Sequence, residues 1–203
     1  MKYTRLISFL LLVPLFILFS CKNRKDNSAK NVNPVQETVR ISSPLPSVSI
    51  HEAALNGQSG QVTTLLEAGI DANLKDPEGR TPLMYASFNG HVEVIKGLVK
   101  KGADINLQDN YGRSALMMAS SGPYPVAVKL LLDNGADPNL IDKEEHFTAL
   151  MYAAAEGQLD VVKLLLANGA DAELKDVDGD NALTFAANNR HLSVVSLLTS
   201  IKK

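Results

Sequence analysis

Residues 80 to 106 read RTPLMYASFNGHVEVIKGLVKKGADIN, and two short helices can be read from them directly. Thr81 offers a side-chain oxygen just before Pro82, which suits an N-cap followed by proline at the first helical position, where its missing N–H costs nothing. Leu83, Met84, Ala86 and Ser87 give the first helix a small apolar face, and Asn89-Gly90 ends it. Val92, Val94, Ile95, Leu98 and Val99 then recur at spacings of three and four, the stripe of an amphipathic helix, and Gly102 stands where a left-handed C-terminal cap is needed. Isolated helices shorter than about 12–15 residues are marginal in water, so each pair has to be stacked on another pair.

The same unit recurs on both sides. With Met84 as a marker, the equivalent residues are His51, Met117, Met151 and Thr184, at spacings of 33, 33, 34 and 33. In the first four units a glycine follows the marker by 18 residues, at Gly69, Gly102, Gly135 and Gly169. The segments GIDANLKD, GADINLQD, GADPNLID and GADAELKD begin at these glycines and are close copies. A period of this size marks a solenoid whose units bury their faces only against neighbours.

These residues resemble the ankyrin-repeat family, whose pattern runs Thr-Pro-Leu-His, Ala-Ala, Gly-His, Val-Val, Leu-Leu-Leu and Gly-Ala-Asp-x-Asn. The resemblance covers residues 48–203 and implies an all-α solenoid of five helix-turn-helix units with short β-hairpin tips. The marker histidine survives only as His51, so the hydrogen bonds it makes between units in the family are expected to be mostly missing. Pro123-Tyr124 replaces Gly-His in the third unit, which predicts a stiffer inter-helix turn. One extra residue lies between Asp142 and Thr148, and His146 stands where other units have Gly79, Gly112 or Gly179, so that hairpin is expected to be irregular. The first and last units, with Val48-Ser49 for Thr-Pro and no closing Gly-Ala-Asp after Ser196, read as caps, Lys202 and Lys203 suiting the negative end of the final helix.

The chain begins differently. Lys2 and Arg5 precede an apolar run from Leu6 to Phe19, too short for the roughly 20 residues of a spanning helix and interrupted by Pro14. This reads as an export signal over residues 1–20. Leu18-Phe19-Ser20-Cys21 resembles the bacterial lipoprotein box, although Phe19 is bulkier than the usual residue there. Cys21 is the only cysteine, so it has no intramolecular disulfide partner and is assigned as a lipidation site; an uncleaved anchor or an ordinary secretory signal are the alternatives. Residues 21–47, rich in Asn, Ser, Pro and Lys, read as a tether. If flexible, it spans roughly 30 Å. Lys22 after the cysteine favours the outer membrane in the enteric sorting scheme. The expected location is therefore the envelope of a Gram-negative-type bacterium, lipid-anchored and facing the periplasm.

The whole chain carries 20 Lys and Arg against 22 Asp and Glu, but residues 1–47 are basic and the repeats are acidic. Nucleic acid demands clustered cations to neutralise phosphates, so an acidic repeat region argues against it as a partner. An enzyme is not expected. His51, His91 and His191 fall on repeat positions, and only His146, in a hairpin, is off-pattern. The run Asp176-Val-Asp178-Gly-Asp180 starts like a calcium loop but has glycine too early and Ala187 where the bidentate glutamate belongs, so it reads as a solvated acidic hairpin. Neither a glycine-rich phosphate loop nor a Gly-x-Ser-x-Gly elbow is present, and no metal or cofactor is expected.

Family resemblance implies that the hairpin tips and the exposed side of the first helices form a concave face that grips proteins. Positions that vary between units mark it, and the candidates are Arg80, Phe88, Asn89, Asn110, Tyr111, Arg113, His146, Phe147 and Glu156. Phe88, Tyr111, Arg113 and Phe147 are of the types enriched at hot spots, although Phe147 as a plug of its hairpin and Phe88 as a packing residue are the competing readings. Tyr85, Met118, Tyr152 and Phe185, each one residue after its marker, read as inter-repeat packing. The expected function is a monomeric, membrane-tethered adaptor for a protein partner. An inhibitor or immunity protein that caps a toxin or hydrolase is one alternative, and a structural protein or surface adhesin is another.

Overall fold

A computed structural model describes residues 48–201. The expected signal, the Cys21 lipidation site, the tether and the last two lysines lie outside the described residues. The described residues form ten helices in five antiparallel pairs: α1 (Ile50–Leu55) with α2 (Ser59–Glu67), α3 (Pro82–Phe88) with α4 (Val92–Lys100), α5 (Ala115–Ser120) with α6 (Pro125–Asp133), α7 (Ala149–Ala155) with α8 (Leu159–Ala167), and α9 (Ala182–Asn188) with α10 (Leu192–Ile201). The units stack in chain order, first helices on first helices and second on second. The tips between units are tight turns that carry one antiparallel bridge, Gln108 to Ser114, among the described residues. No helix among the described residues is long and apolar enough to cross a membrane.

Each first helix opens on a side-chain cap. The Thr81 hydroxyl accepts the Met84 N–H at 3.4 Å, Ser114 that of Met117 at 3.3 Å and Thr148 that of Met151 at 3.2 Å, while the Asn181 amide oxygen does the same for Thr184 at 3.2 Å. In these four units the repeat marker is thus the third helical residue. Two of the three methionine markers fold back: Sδ of Met84 and of Met117 each accept the N–H of their own cap residue at 3.4 Å. This is a capping box closed by a weak sulfur acceptor in place of a carboxylate. His51 alone reaches forward, its Nε2 2.8 Å from the Leu74 carbonyl oxygen.

Among the described residues the core runs from Ile50 to Leu198, all of it within one compact unit. Leu83, Ile95, Leu98, Leu116, Leu131, Leu150, Val161 and Leu165 are buried as the stripes predict, and so are Leu65 and Leu66. Met84, Met117 and Met151 join them at 2 % exposure, which ranks the markers among core residues. Four other aliphatic residues of these helices are only half-buried. Leu130 and Leu164 lie at the edge of the stripe where other units have Thr64 and Gly97, and Leu183 and Val195 belong to the last unit, with no described unit beyond them. Ser87 and Ser120, at equivalent positions, are buried with hydroxyls that find no partner among the described residues.

Polar ties set the register between units. The Asn73 side chain accepts the Asp104 N–H at 2.8 Å and donates to the Gly102 carbonyl at 3.3 Å. Asn106 repeats this with Asp137 at 2.9 Å and Gly135 at 3.0 Å, and Asn139 with Asp171 at 2.8 Å and Gly169 at 3.0 Å. A second tie clamps the end of a first helix: the Leu55 carbonyl accepts from Asn89 Nδ2 at 2.8 Å and His91 Nε2 at 2.9 Å, and the Ala155 carbonyl from Asn189 at 2.7 Å and His191 at 2.9 Å. Among the described residues this clamp occurs only at the first and last junctions. Tyr124 in place of histidine still seats its ring on Gly90, so the altered turn of the third unit preserves the stacking contact.

Because Asn106 is solvent-accessible, water can replace part of what it supplies. Asn106→Ala is expected to lower stability by about 1–2 kcal/mol, the loss of two such bonds, in urea denaturation of residues 48–203.

Candidate functional site

A carboxylate organises each tip. Asp76 Oδ1 accepts the N–H groups of Glu78 at 3.0 Å and Arg80 at 2.8 Å, and Asp109 Oδ1 accepts those of Tyr111 at 3.0 Å and Arg113 at 2.8 Å. In the fourth tip Asp176 does the same for Asp178 at 3.0 Å and Asp180 at 2.7 Å, so the carboxylate that would open a calcium loop is engaged by its own turn. In the third, Asp142 Oδ1 takes the Glu145 N–H at 2.9 Å.

The second oxygen of each carboxylate differs between tips. Asp76 Oδ2 receives Arg80 Nε at 3.0 Å and the Tyr85 hydroxyl at 2.7 Å, and Arg80 also reaches Glu78 at 2.9 Å. Asp109, its side chain fully buried, receives Arg113 through Nε at 2.9 Å and Nη2 at 2.8 Å. The third tip has no arginine; Asp142 faces the Tyr152 hydroxyl at 3.3 Å. Burial and the neighbouring carboxylates push the Tyr85 and Tyr152 hydroxyls well above the usual phenol range, so both stay protonated donors. Burial of Asp76 opposes its ionisation, but the Tyr85 hydroxyl, the Arg80 N–H and the Arg80 guanidinium outweigh it and hold the carboxyl below its ordinary range.

Successive tips are joined by main-chain bonds into one strip. Asn110 N–H donates to Glu78 at 3.0 Å, Lys143 N–H to Tyr111 at 2.8 Å and Val177 N–H to Glu145 at 3.1 Å. The Asn110 side chain adds a bond to the Pro77 carbonyl at 3.0 Å.

The expected contact residues separate on this strip. Tyr111 is 37 % exposed, and the Arg113 guanidinium carbon lies 4.9 Å from its ring centroid, a cation–π pair whose arginine is fixed from behind by Asp109. Arg80 is held the same way over Tyr85 at 5.0 Å. Asn110, His146 and Glu156 are exposed, and Phe88 is half-buried at the end of α3. Two residues take structural roles instead. Phe147 is 9 % exposed, with Tyr152 and Phe185 edge-on at 5.7 and 5.1 Å, so it plugs the irregular hairpin as an aromatic core residue. Asn89 spends its amide on the Leu55 carbonyl. The stripe of Tyr85, Met118, Tyr152 and Phe185 lies between units, with Phe185 buried and Tyr85 edge-on to His51 at 5.8 Å.

Sequence reasoning missed the tip aspartates as the positioning groups. Their signal was an Asp at the same place in all four tips, Asp76, Asp109, Asp142 and Asp176. The charge of the strip also shifts along its length. Its first two tips hold arginine against carboxylate, whereas Glu144, Glu145, Asp178 and Asp180 make the last two acidic.

His146 has φ of 59°, in the left-handed region that Gly79, Gly112 and Gly179 occupy in their tips at 79°, 84° and 86°. A side chain there is strained by about 1–2 kcal/mol. His146→Gly should therefore raise the stability of residues 48–203 by about 1 kcal/mol, read from the urea midpoint at unchanged slope. Asp76 predicts a pH effect with a definite sign. Its folded pKa is depressed, so its contribution is complete above the unfolded value of about 4 and is lost as the pH falls through the folded value. Asp76→Asn should destabilise the protein by about 1 kcal/mol at pH 7, and the gap to wild type should narrow below pH of about 4 in the same denaturation measurement.

A family model described as ankyrin repeats in three copies matches residues 50–142 and, a second time, residues 124–203. No curated protein matches the chain.

Proposed function

The chain belongs to the ankyrin-repeat family, and from that premise we propose that it is a protein-binding module which uses the tip strip around Tyr111 and Arg113 and is tied to a membrane through a lipid on Cys21. Repeats of this family are generally protein–protein interaction modules and typically non-enzymatic. The observation that carries the reading is the Tyr111–Arg113 pair: an exposed aromatic ring with a guanidinium 4.9 Å from its centroid, the arginine locked by a buried carboxylate. Side chains held this way lose little freedom on binding, and tyrosine and arginine are the types that anchor interfaces. His146, exposed and strained on the next tip, extends the same surface toward its acidic half, and Glu156 is exposed at the far end of α7.

Cys21 supports the membrane attachment. It is the single cysteine, it follows Leu-Phe-Ser at the end of an apolar leader, and a basic tether separates it from the repeats. Diacylation there holds the protein firmly where one chain gives only reversible binding. The partner then lies in the envelope, on the periplasmic side of the outer membrane, within reach of a tether of roughly 30 Å. The acidic repeats disfavour nucleic acid as the ligand.

The test starts from capture of an envelope-extract partner on residues 48–203, followed by calorimetric titration of the purified pair. Tyr111→Ala, with Arg113 kept so that buried Asp109 stays paired, is expected to weaken binding by at least about tenfold, the loss of an anchoring aromatic. Equal affinity of wild type and Tyr111→Ala places the binding surface elsewhere. Labelling of the full-length protein with a palmitate analogue, lost in Cys21→Ala, checks the anchor independently.

A further inference from the structure

Each first helix runs from a tip to an inter-helix turn, and its unit is fastened to the neighbouring one at both ends. On the turn side a ring of the following unit rests on a glycine at three of the four junctions: His91 on Gly57, Tyr124 on Gly90 and His191 on Gly157. At the first and fourth junctions the asparagine–histidine clamp holds the same place, on the carbonyls of Leu55 and Ala155.

At the third junction, between units three and four, the turn side is bare. Pro123 stands where Gly57, Gly90 and Gly157 stand, and its own ring fills the seat of an incoming one. On the facing unit Glu156 and Gln158 replace the clamp's asparagine and histidine. A carboxylate has no proton to donate, and among the described residues neither side chain bonds the Ser121 carbonyl, the counterpart of those of Leu55 and Ala155. The fastenings that remain are all at the tip end. Asn139 bonds Asp171 and Gly169, Gln108 Nε2 donates to the Ile141 carbonyl at 2.9 Å, and the Lys143 N–H donates to Tyr111 at 2.8 Å. The tip here is also the long one, with its extra residue between Asp142 and Thr148.

We propose that this junction is a hinge, on which units one to three and units four and five tilt as two bodies, pivoting at the tip end and parting at the inter-helix turns. Apolar packing across the junction resists separation but tolerates small sliding, so the polar bonds decide where tilt is free. The hinge cuts the tip strip at a meaningful place. The tips that carry Arg80 and Arg113 belong to one body, and those that carry Glu144, Glu145, Asp178 and Asp180 to the other. The angle between the arginine half and the acidic half of the strip is therefore adjustable, and a ligand that touches both selects one angle from the range.

Distance distributions between spin labels, measured by double electron–electron resonance, test this. Cys21 is the only cysteine, so Cys21→Ser frees the full-length chain, held in detergent, for two engineered ones. Thr63, Lys96, Lys129 and Lys163 are equivalent, exposed positions on the second helices of units one to four. The pair Thr63→Cys and Lys129→Cys spans the first two junctions, and the pair Lys96→Cys and Lys163→Cys spans the second and third. The latter should give a distribution at least about twofold broader. Pro123→Gly, Glu156→Asn and Gln158→His together supply the missing seat and clamp, and should narrow it to the width of the former with an unchanged circular dichroism spectrum. Conversely, Asn89→Ala with His91→Ala removes the clamp of the first junction and should broaden the Thr63–Lys129 distribution. Equal widths for the two pairs, a Lys96–Lys163 distribution that stays broad in the folded triple variant, or a Thr63–Lys129 distribution that stays narrow without its clamp would each overturn the proposal.

Discussion

Helices of six to ten residues have no independent existence in water, and every other feature of this protein follows from the need to stack them in register. Apolar stripes supply the free energy but tolerate sliding, since one aliphatic surface accepts another at many offsets. The side chains of Asn73, Asn106 and Asn139 remove that freedom by taking one N–H and giving one N–H to a fixed carbonyl of the next unit. Tip-to-tip main-chain bonds act on the same junctions from the other side. The rigidity of the tip strip is therefore inherited from the stack.

Much of the fold was legible because short helices declare their ends. Thr81-Pro82, Asn89-Gly90 and Gly102 bound two helices that the structure places at Pro82–Phe88 and Val92–Lys100. Positive φ at His146 is equally direct: a histidine aligned with three glycines inherits their backbone. The polar ties were harder to see. Asn106 sits in a plainly copied segment, but nothing in a single unit says that its partner lies 29 residues on. Methionine as a capping acceptor was also hidden, because the sulfur replaces a carboxylate that composition leads one to look for.

The candidate site was half legible. Variation between units picks out surface well, and Tyr111, Asn110, His146 and Glu156 are exposed. It fails where a unit departs from the pattern to repair itself. Phe147 varies because an inserted residue opened a gap in its hairpin, and an aromatic ring fills it against Tyr152 and Phe185. Arginine is ambiguous for a different reason. Arg80 and Arg113 are each bound to a tip carboxylate, and the same bond that fixes the geometry of the surface also holds the turn.

The asparagine–histidine clamps lie at the junctions of units one and two and of units four and five, the places from which a linear array frays. In a chain of nearest-neighbour couplings, the first junction is held by four side-chain bonds, two from Asn73 and two from the clamp, whereas at the last junction the clamp supplies the two bonds that an asparagine supplies at the middle ones. Peeling from the first unit is then no easier than opening at the centre, so amide protons of α1 and α2 exchange no faster than those of the middle units.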